Sequence, residues 1–191
     1  MGEFVNTVDI IGEESLVNAI IDRTLSGTFA DDTIKHLRDY AFNYMPNVEI
    51  LKLPNVITTG KYIVGKGSTS LKEIYFPALA EVKGGMCSQA AALEIADFGP
   101  NVKTIRMQAF WSATKLKALI LRRTDDVVSM ETLALDKSGI ATNIGYVYVP
   151  SALVDSYKSA TNWSTYAARF RALESYTVDG TTTGDIDNTK I

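Results

Sequence analysis

Proton transfer and nucleophilic attack both need a titratable or reactive side chain held by an orienting partner. The 191-residue chain carries one histidine and one cysteine. His36 sits in Ile34-Lys35-His36-Leu37 with Asp31, Asp32 and Asp39 nearby. It lies between two inward-facing positions, Ile34 and Leu37, so a solvent-facing side chain is expected, and no motif around it supports a catalytic role. Cys87 is expected to pack, because a reactive thiolate needs neighbouring positive charge. Asp179, Asp185 and Asp187 suggest calcium, but they follow neither the EF-hand pattern nor the glycine-aspartate nonapeptide of calcium-binding β-helices. A solvated tail is expected there. Gly84-Gly85 and Gly65-x-Gly67 are turn glycines, since neither belongs to a phosphate loop with Gly-Lys-Ser/Thr. Asn162-Trp163-Ser164 has the form of a glycosylation sequon, relevant only on a eukaryotic secretory route. The expectation is a chain with no catalytic residue, no metal site and no cofactor: not an enzyme.

Hydrophobic residues at 46% and charged residues at 21% are globular values and exclude global disorder. A chain of this length buries enough surface to fold without a disulfide or metal staple. Lys and Arg total 19 against 22 for Asp and Glu, a net charge of -3. That balance gives no basic surplus for nucleic acid and no polybasic run for an anionic membrane. Residues 1–30 lack the basic start, apolar run and small-residue cleavage site of a secretory signal. No stretch approaches the ~20 apolar residues of a membrane span. Asn6 stands where a myristoylation pattern wants Ser or Thr. A soluble protein without its own export signal is the expectation.

Self-comparison then organises the chain. Four segments superpose: Val48-x-x-Leu51-x-Leu53-Pro54, Leu71-x-x-Ile74-x-Phe76-Pro77, Leu93-x-x-Ala96-x-Phe98-Gly99 and Leu116-x-x-Leu119-x-Leu121. Val147-x-Val149-Pro150 is a fifth, partial copy. The last apolar positions, 53, 76, 98, 121 and 149, are spaced 23, 22, 23 and 28. A second column contains Ile34, Ile57, Leu79 and Val102, and a third Leu37, Val82, Ile105 and Val128, with Gly60 at the weak second copy. Ala41-Phe42 recurs as Ala109-Phe110, with Val64-Gly65 and Met86-Cys87 as degraded equivalents. A period of 22–23 falls in the leucine-rich range. L-x-x-L-x-L points its apolar residues inward, the last two alternating along a short strand, and the following Pro or Gly turns the chain outward. The aromatic of the Ala-Phe pair fills the coil, and stacked neighbours bury what no single coil can. Strands are expected at 50–53, 73–76, 95–98, 118–121 and 146–149, adjacent in that order in one parallel sheet.

The repeat I-x-x-I-x-x-x-A-F…L-x-x-I-x-F-P resembles the BspA-like class of bacterial leucine-rich repeats. The run from Gly145-Tyr146-Val147-Tyr148-Val149-Pro150 through Asn162-Trp163 is similar to that family's closing segment. The opening Ile21-Asp22-Arg23-Thr24 and the ending Arg171-Ala172-Leu173-Glu174 through Thr182 are similar to short members carried by phages and prophages of Firmicutes. Val64-Gly65 and Met86-Cys87 depart from the pattern, so those two coils are expected to be thinner or less regular. The resemblance implies a right-handed α+β/β solenoid of about five such coils with one parallel sheet and a C-terminal helical cap. It implies surface recognition or a virion part, and no catalytic residues.

The expected organisation is an N-terminal cap over 1–33, the solenoid over 34–150, a helical cap over 151–176 and a flexible polar tail over 177–191. Glu13 to Ile20 makes a short helix and Ile21 to Phe29 a leading strand. Ser151 is placed as a helix N-cap, with Val154, Tyr157 and Lys158 at helical spacing. A second amphipathic stretch puts Trp163, Tyr166, Ala167, Phe170 and Leu173 on one face, an end cap on the last coil or a partner-binding helix. On the sheet's outer face, Ile50, Tyr75, Ile95, Ile120, Tyr146 and Tyr148 are apolar or aromatic where polar residues are usual. Two readings stand: β propensity alone, or a stripe that binds a partner. The partner would be a protein or a cell-surface glycan, with other virion proteins included and nucleic acid and membrane excluded. A phage or prophage virion or tail component, found in the virion or in the bacterial cytoplasm before lysis, is the leading expectation. A bacterial surface adhesin, outside the cell, is the alternative.

Overall fold

Alternating side chains in the L-x-x-L-x-L segments make short strands, and a fixed period stacks them edge to edge. The structure is a computed structural model and describes residues 25–173. The helix expected at 13–20 and the polar tail at 177–191 lie outside the described residues, as does most of the N-terminal cap. Ten strands are described: β1 Gly27–Ala30, β2 Val48–Lys52, β3 Glu73–Phe76, β4 Glu81–Val82, β5 Ile95–Phe98, β6 Thr104–Ile105, β7 Ala118–Leu121, β8 Ser129–Met130, β9 Tyr146–Val149 and β10 Phe170–Ala172. Seven of them form one parallel sheet in the order β1-β2-β3-β5-β7-β9-β10. The five expected strands are its middle, in the expected order. A second, three-stranded parallel sheet, β4-β6-β8, runs along the opposite wall and corrects the expectation of one sheet.

Between the sheets lies a continuous apolar core. Leu51, Ile74, Ala96, Leu119 and Val147 share one register row, all fully buried. Each of the larger side chains in this row, Leu51, Ile74, Leu119 and Val147, contributes about 1.5–3 kcal/mol by leaving water. Phe76 stacks on Phe98 at 6.5 Å, and Phe98 meets Phe110 edge-on at 6.1 Å, so the rings run from coil to coil. In the third coil Cys87 takes the ring's place, wholly buried, and burial pushes its thiol pKa up.

The second coil corrects three column assignments. Val56, not Ile57, is the buried partner of Ile34, and Ile57 is 43% exposed. Thr59, not Gly60, faces inward beside Leu37, and Ile63-Val64 replaces Val64-Gly65 as the counterpart of Ala41-Phe42. The cause is where the extra residue sits. Ile34 and Val56 are 22 apart while Val48 and Leu71 are 23 apart, so the insertion falls late, in the glycine- and serine-rich turn over 65–70. In the fifth coil Met130 pairs with Ile105, and Val128 is buried two residues earlier.

One turn column has left-handed backbone in every coil: Tyr40, Tyr62, Gly85, Gln108 and Leu133, each just before the core pair, with φ of 65, 53, 67, 60 and 61°. For the L-residues this costs about 1–2 kcal/mol each, offset by the buried pair that follows. Repetition in five coils makes it a property of the turn.

The C-terminal elements close the last coil. Pro150 occupies the N-cap position with no side-chain cap, which corrects the placement of Ser151; Ser151–Leu153 is a 3-10 turn leading into α1, Val154–Ser159. The second amphipathic stretch is not a long helix. Ser164–Arg169 is 3-10, and Phe170 then enters β10, pairing with β9. The open edge of β9 offers ladder bonds and closing it removes an aggregation-prone edge, which outweighs helical periodicity. Tyr157, Trp163 and Phe170 form a buried aromatic triad with centroids 5.4–5.7 Å apart. Trp163 Nε1–H donates to the Val128 carbonyl at 2.6 Å, and the Val128 N–H donates to the Tyr157 hydroxyl at 3.0 Å. Burial pushes the Tyr157 pKa up to about 12. Asn162 of the sequon donates to the Met130 carbonyl at 2.6 Å.

Candidate binding surface

Parallel register lines up the outward side chains of the large sheet in two rows. One runs Thr28, Ile50, Glu73, Ile95, Ala118, Tyr146, and the other Ala30, Lys52, Tyr75, Asp97, Ile120, Tyr148, Arg171. All six residues expected to form an exposed stripe point to this face, but the face is not uniformly open. Tyr75, Ile95, Ile120 and Tyr148 are buried, and Ile50 and Tyr146 are half-buried. Ile95, Ala118, Ile120 and Tyr148 make a second apolar cluster, separate from the core, with Tyr146 and Leu173 packed on it. Tyr146 meets Tyr148 edge-on at 6.4 Å, and the guanidinium groups of Arg169 and Arg171 lie 4.2 and 4.3 Å from the Tyr146 ring centre. Arg169 is anchored by donating to the Gly145 carbonyl at 2.9 Å. Tyr146 and Tyr148 of the expected stripe are therefore not free for a partner: their rings are engaged within the fold.

Asp97 was unmarked in the sequence and is the most buried charge on this face, 3% exposed. Arg122 grips it through two bonds, Nε to Oδ1 at 2.9 Å and Nη2 to Oδ2 at 2.8 Å. The signal was legible: a carboxylate between Tyr75 and Ile120 in its row needs a cation on the adjoining coil, and Arg122 directly follows β7.

Tyr75 is held differently. Its hydroxyl donates to Glu73 at 2.5 Å, and the Lys52 ammonium lies 5.3 Å from its ring centre. Tyr75 and Lys52 border a cleft of about 450 Å³ at the carboxyl ends of β1–β3, lined also by Ala30, Asp31, Asp32, Leu53, Pro54 and Pro77. Pro54 and Pro77 end their strands, since neither has an N–H for the ladder, and so open the rim. Asp31 Oδ1 accepts from the backbone N–H of Thr33 and Ile34, at 2.8 and 3.0 Å, and fixes the turn. The cleft offers two carboxylates, one ammonium and an aromatic wall, a set suited to holding a ligand. His36 is exposed and pairs with the Thr58 hydroxyl at 2.7 Å, away from these groups. Among the described residues no group of three or more His, Cys, Asp or Glu is placed to hold a metal ion, and no helix is long and apolar enough to cross a membrane.

No curated protein matches the chain. A solved structure, a leucine rich cell surface protein from Faecalibacterium prausnitzii A2-165, is similar with a TM-score of 0.56 and 15% identity. The likeness covers 75% of this chain and 34% of that one, so the chain spans about a third of its neighbour, and at this identity it speaks for the fold alone. The profile of the BspA type leucine rich repeat region, in 6 copies, matches residues 3–133. Repeat period, parallel solenoid and profile agree: the chain belongs to the BspA-type leucine-rich repeat family.

Proposed function

We propose that the protein is a recognition module that binds a protein partner at the cleft at the carboxyl ends of β1–β3, without making or breaking a bond. The observation that carries this reading is the division of the outer face. Where the sheet is apolar, at β5–β9, its outward residues are spent on an internal cluster, whereas at β1–β3 Lys52 and Asp32 remain at the rim of an open cleft. Two carboxylates against one ammonium already engaged with a ring favour a partner segment presenting a basic side chain. The family, and a cell-surface protein as structural neighbour, support an adhesin-like setting. Binding of the full chain to intact host or bacterial cells tests it. Asp32→Ala lowers cell binding about tenfold with the melting transition unchanged; equal binding by this variant contradicts the proposal.

A finer reading is a virion or tail component of a phage or prophage, supported by the similarity of Ile21–Thr24 and Arg171–Thr182 to phage-borne members. Mass spectrometry of particles from an induced lysogen tests it: peptides of this chain in purified virions support it, and their absence overturns it.

A further inference from the structure

On the wall opposite the large sheet, the turn column carries side chains in pairs, one pair per coil. The second coil has Lys61-Tyr62 there and the fourth Met107-Gln108, but the third has Gly84-Gly85. The missing pair leaves a slot. The flanking coils stand two strand spacings apart, roughly 9.6 Å, and the cleft between them measures about 340 Å³. Its back is built from Lys83, Arg106, Glu81 and Glu131. Tyr62 is fixed beside it, stacked on Tyr40 at 5.5 Å on one side. On the other, its ring edge takes the space of any side chain at 85: a Cβ there would stand 2.3 Å from Tyr62 Cε1.

The charges at the back are ordered. Arg106 donates through Nε to Glu81 and through Nη1 to Glu131, the latter at 2.8 Å, while Lys83 also bonds Glu81. Glu131 further accepts from the Met107 backbone N–H at 2.8 Å. Burial opposes ionisation of Glu81, but the bonds from Lys83 and Arg106 outweigh it, and the carboxyl stays below its ordinary pKa. Hydrogen bonds from Arg106 and the Met107 N–H lower that of Glu131 as well. Both are therefore acceptors at neutral pH. Lys61 stands at the mouth, exposed and outside every ion pair among the described residues, so the lining carries three cations and two anions, with the Asp39 carboxylate outside it on the Lys61 backbone N–H at 2.7 Å.

We propose that this slot binds an acidic sugar residue, a carboxylate-bearing hexose within a glycan. One ring sits over Gly84 against the edge of Tyr62, its carboxylate meets Lys61, and its hydroxyls donate to Glu81 and Glu131 and bond the Gln108 amide and Tyr62 hydroxyl. Met107, 49% exposed, offers apolar contact for the ring's C–H face. A bare phosphate is a poorer match, because it has no C–H face to lay on Met107. A neutral sugar leaves the surplus cation unmatched. The site is separate from the β1–β3 cleft and uses none of its residues.

The test is calorimetric titration of the full chain with an N-acetylglucosamine–glucuronate tetrasaccharide, alongside neutral chitotetraose and a tetraglutamate peptide. The acidic tetrasaccharide is expected to bind saturably, at least about tenfold tighter than either comparison. Lys61→Glu, at an exposed position, weakens it by a similar factor, and Gly84→Ser fills the slot with the same effect. Lys52→Ala leaves it unchanged, which separates this site from the proposed partner cleft. Equal binding of chitotetraose, binding of the peptide alone, no saturable binding, or full affinity in Lys61→Glu each overturns the proposal. Should Gly84→Ser fail to fold, since its Cβ would stand 3.3 Å from the Met107 carbonyl, the Lys61→Glu result decides.

Discussion

The two halves of the large sheet share backbone, register and core, and differ only in what faces outward. At β5, β7 and β9 the outer row is Ile95, Ala118, Ile120 and Tyr148, and it is closed into its own apolar cluster. At β1, β2 and β3 it is Thr28, Ala30, Ile50, Lys52 and Glu73, exposed or half-exposed, with Tyr75 alone buried among them. An outward-pointing residue is thus exposed or buried by the company of its row. A row of adjacent apolar side chains lowers the free energy by closing over, while a mixed row stays hydrated.

Substitution can break this comparison. The largest effect is expected at Asp97, whose removal strands the Arg122 guanidinium in the closed half. Asp97→Ala is expected to cost about 3–5 kcal/mol, whereas Glu49→Ala, which removes an exposed partner of Lys72 in the open half, costs about 0–1 kcal/mol. Equal costs in chemical denaturation contradict the division. Next comes Ile120→Ala at about 2–5 kcal/mol, within the same range as Phe110→Ala in the core. A change within about 0.5 kcal/mol at Ile120 means that its row is open. Lys52→Ala is expected to cost no more than about 1 kcal/mol, the scale of a cation–π contact at a half-exposed site.

The smallest effect is on the opposite wall and concerns pH. Glu81 and Glu131 have folded-state pKa values below the ordinary 4.5. Their contribution is therefore complete above about pH 4.5 and is lost as pH falls through the lowered values. Melting temperature followed from pH 6 to pH 3 is expected to decline below ~4.5, less steeply in Glu81→Gln with Glu131→Gln. Identical slopes in both proteins remove the network from the account.

The strands and inner columns were legible because L-x-x-L-x-L combines strand alternation with a fixed period, and Pro54 and Pro77 mark two of the strand ends. The second coil was misaligned by one residue because Ile57 and Gly60 kept a 23-residue step where the chain takes 22, and Ile57 is apolar enough to pass for core. β10 was hidden because Phe170 sits at helical spacing from Trp163, and only the free edge of β9 decides for a strand. Alternation assigned Tyr75, Ile120 and Tyr148 to the correct face of the sheet. It carries no information about what lies over that face, and so exposure was misjudged there. The slot at Gly84-Gly85 was visible as turn glycines, but only the stacking of Lys61-Tyr62 and Met107-Gln108 on either side makes a gap of them.

Hydroxyl-radical footprinting of the unmodified protein, with residue-level mass spectrometry, tests the division of the outer face most directly, because the tyrosines are built-in reporters. Tyr40, Tyr44 and Tyr62, 46, 49 and 38% exposed, are expected to be oxidised readily. Tyr146 is expected at an intermediate level, and Tyr75 and Tyr148, 2 and 0% exposed, are expected to be protected until the protein unfolds. Oxidation of Tyr148 in the folded protein at the rate of Tyr44 would contradict the account.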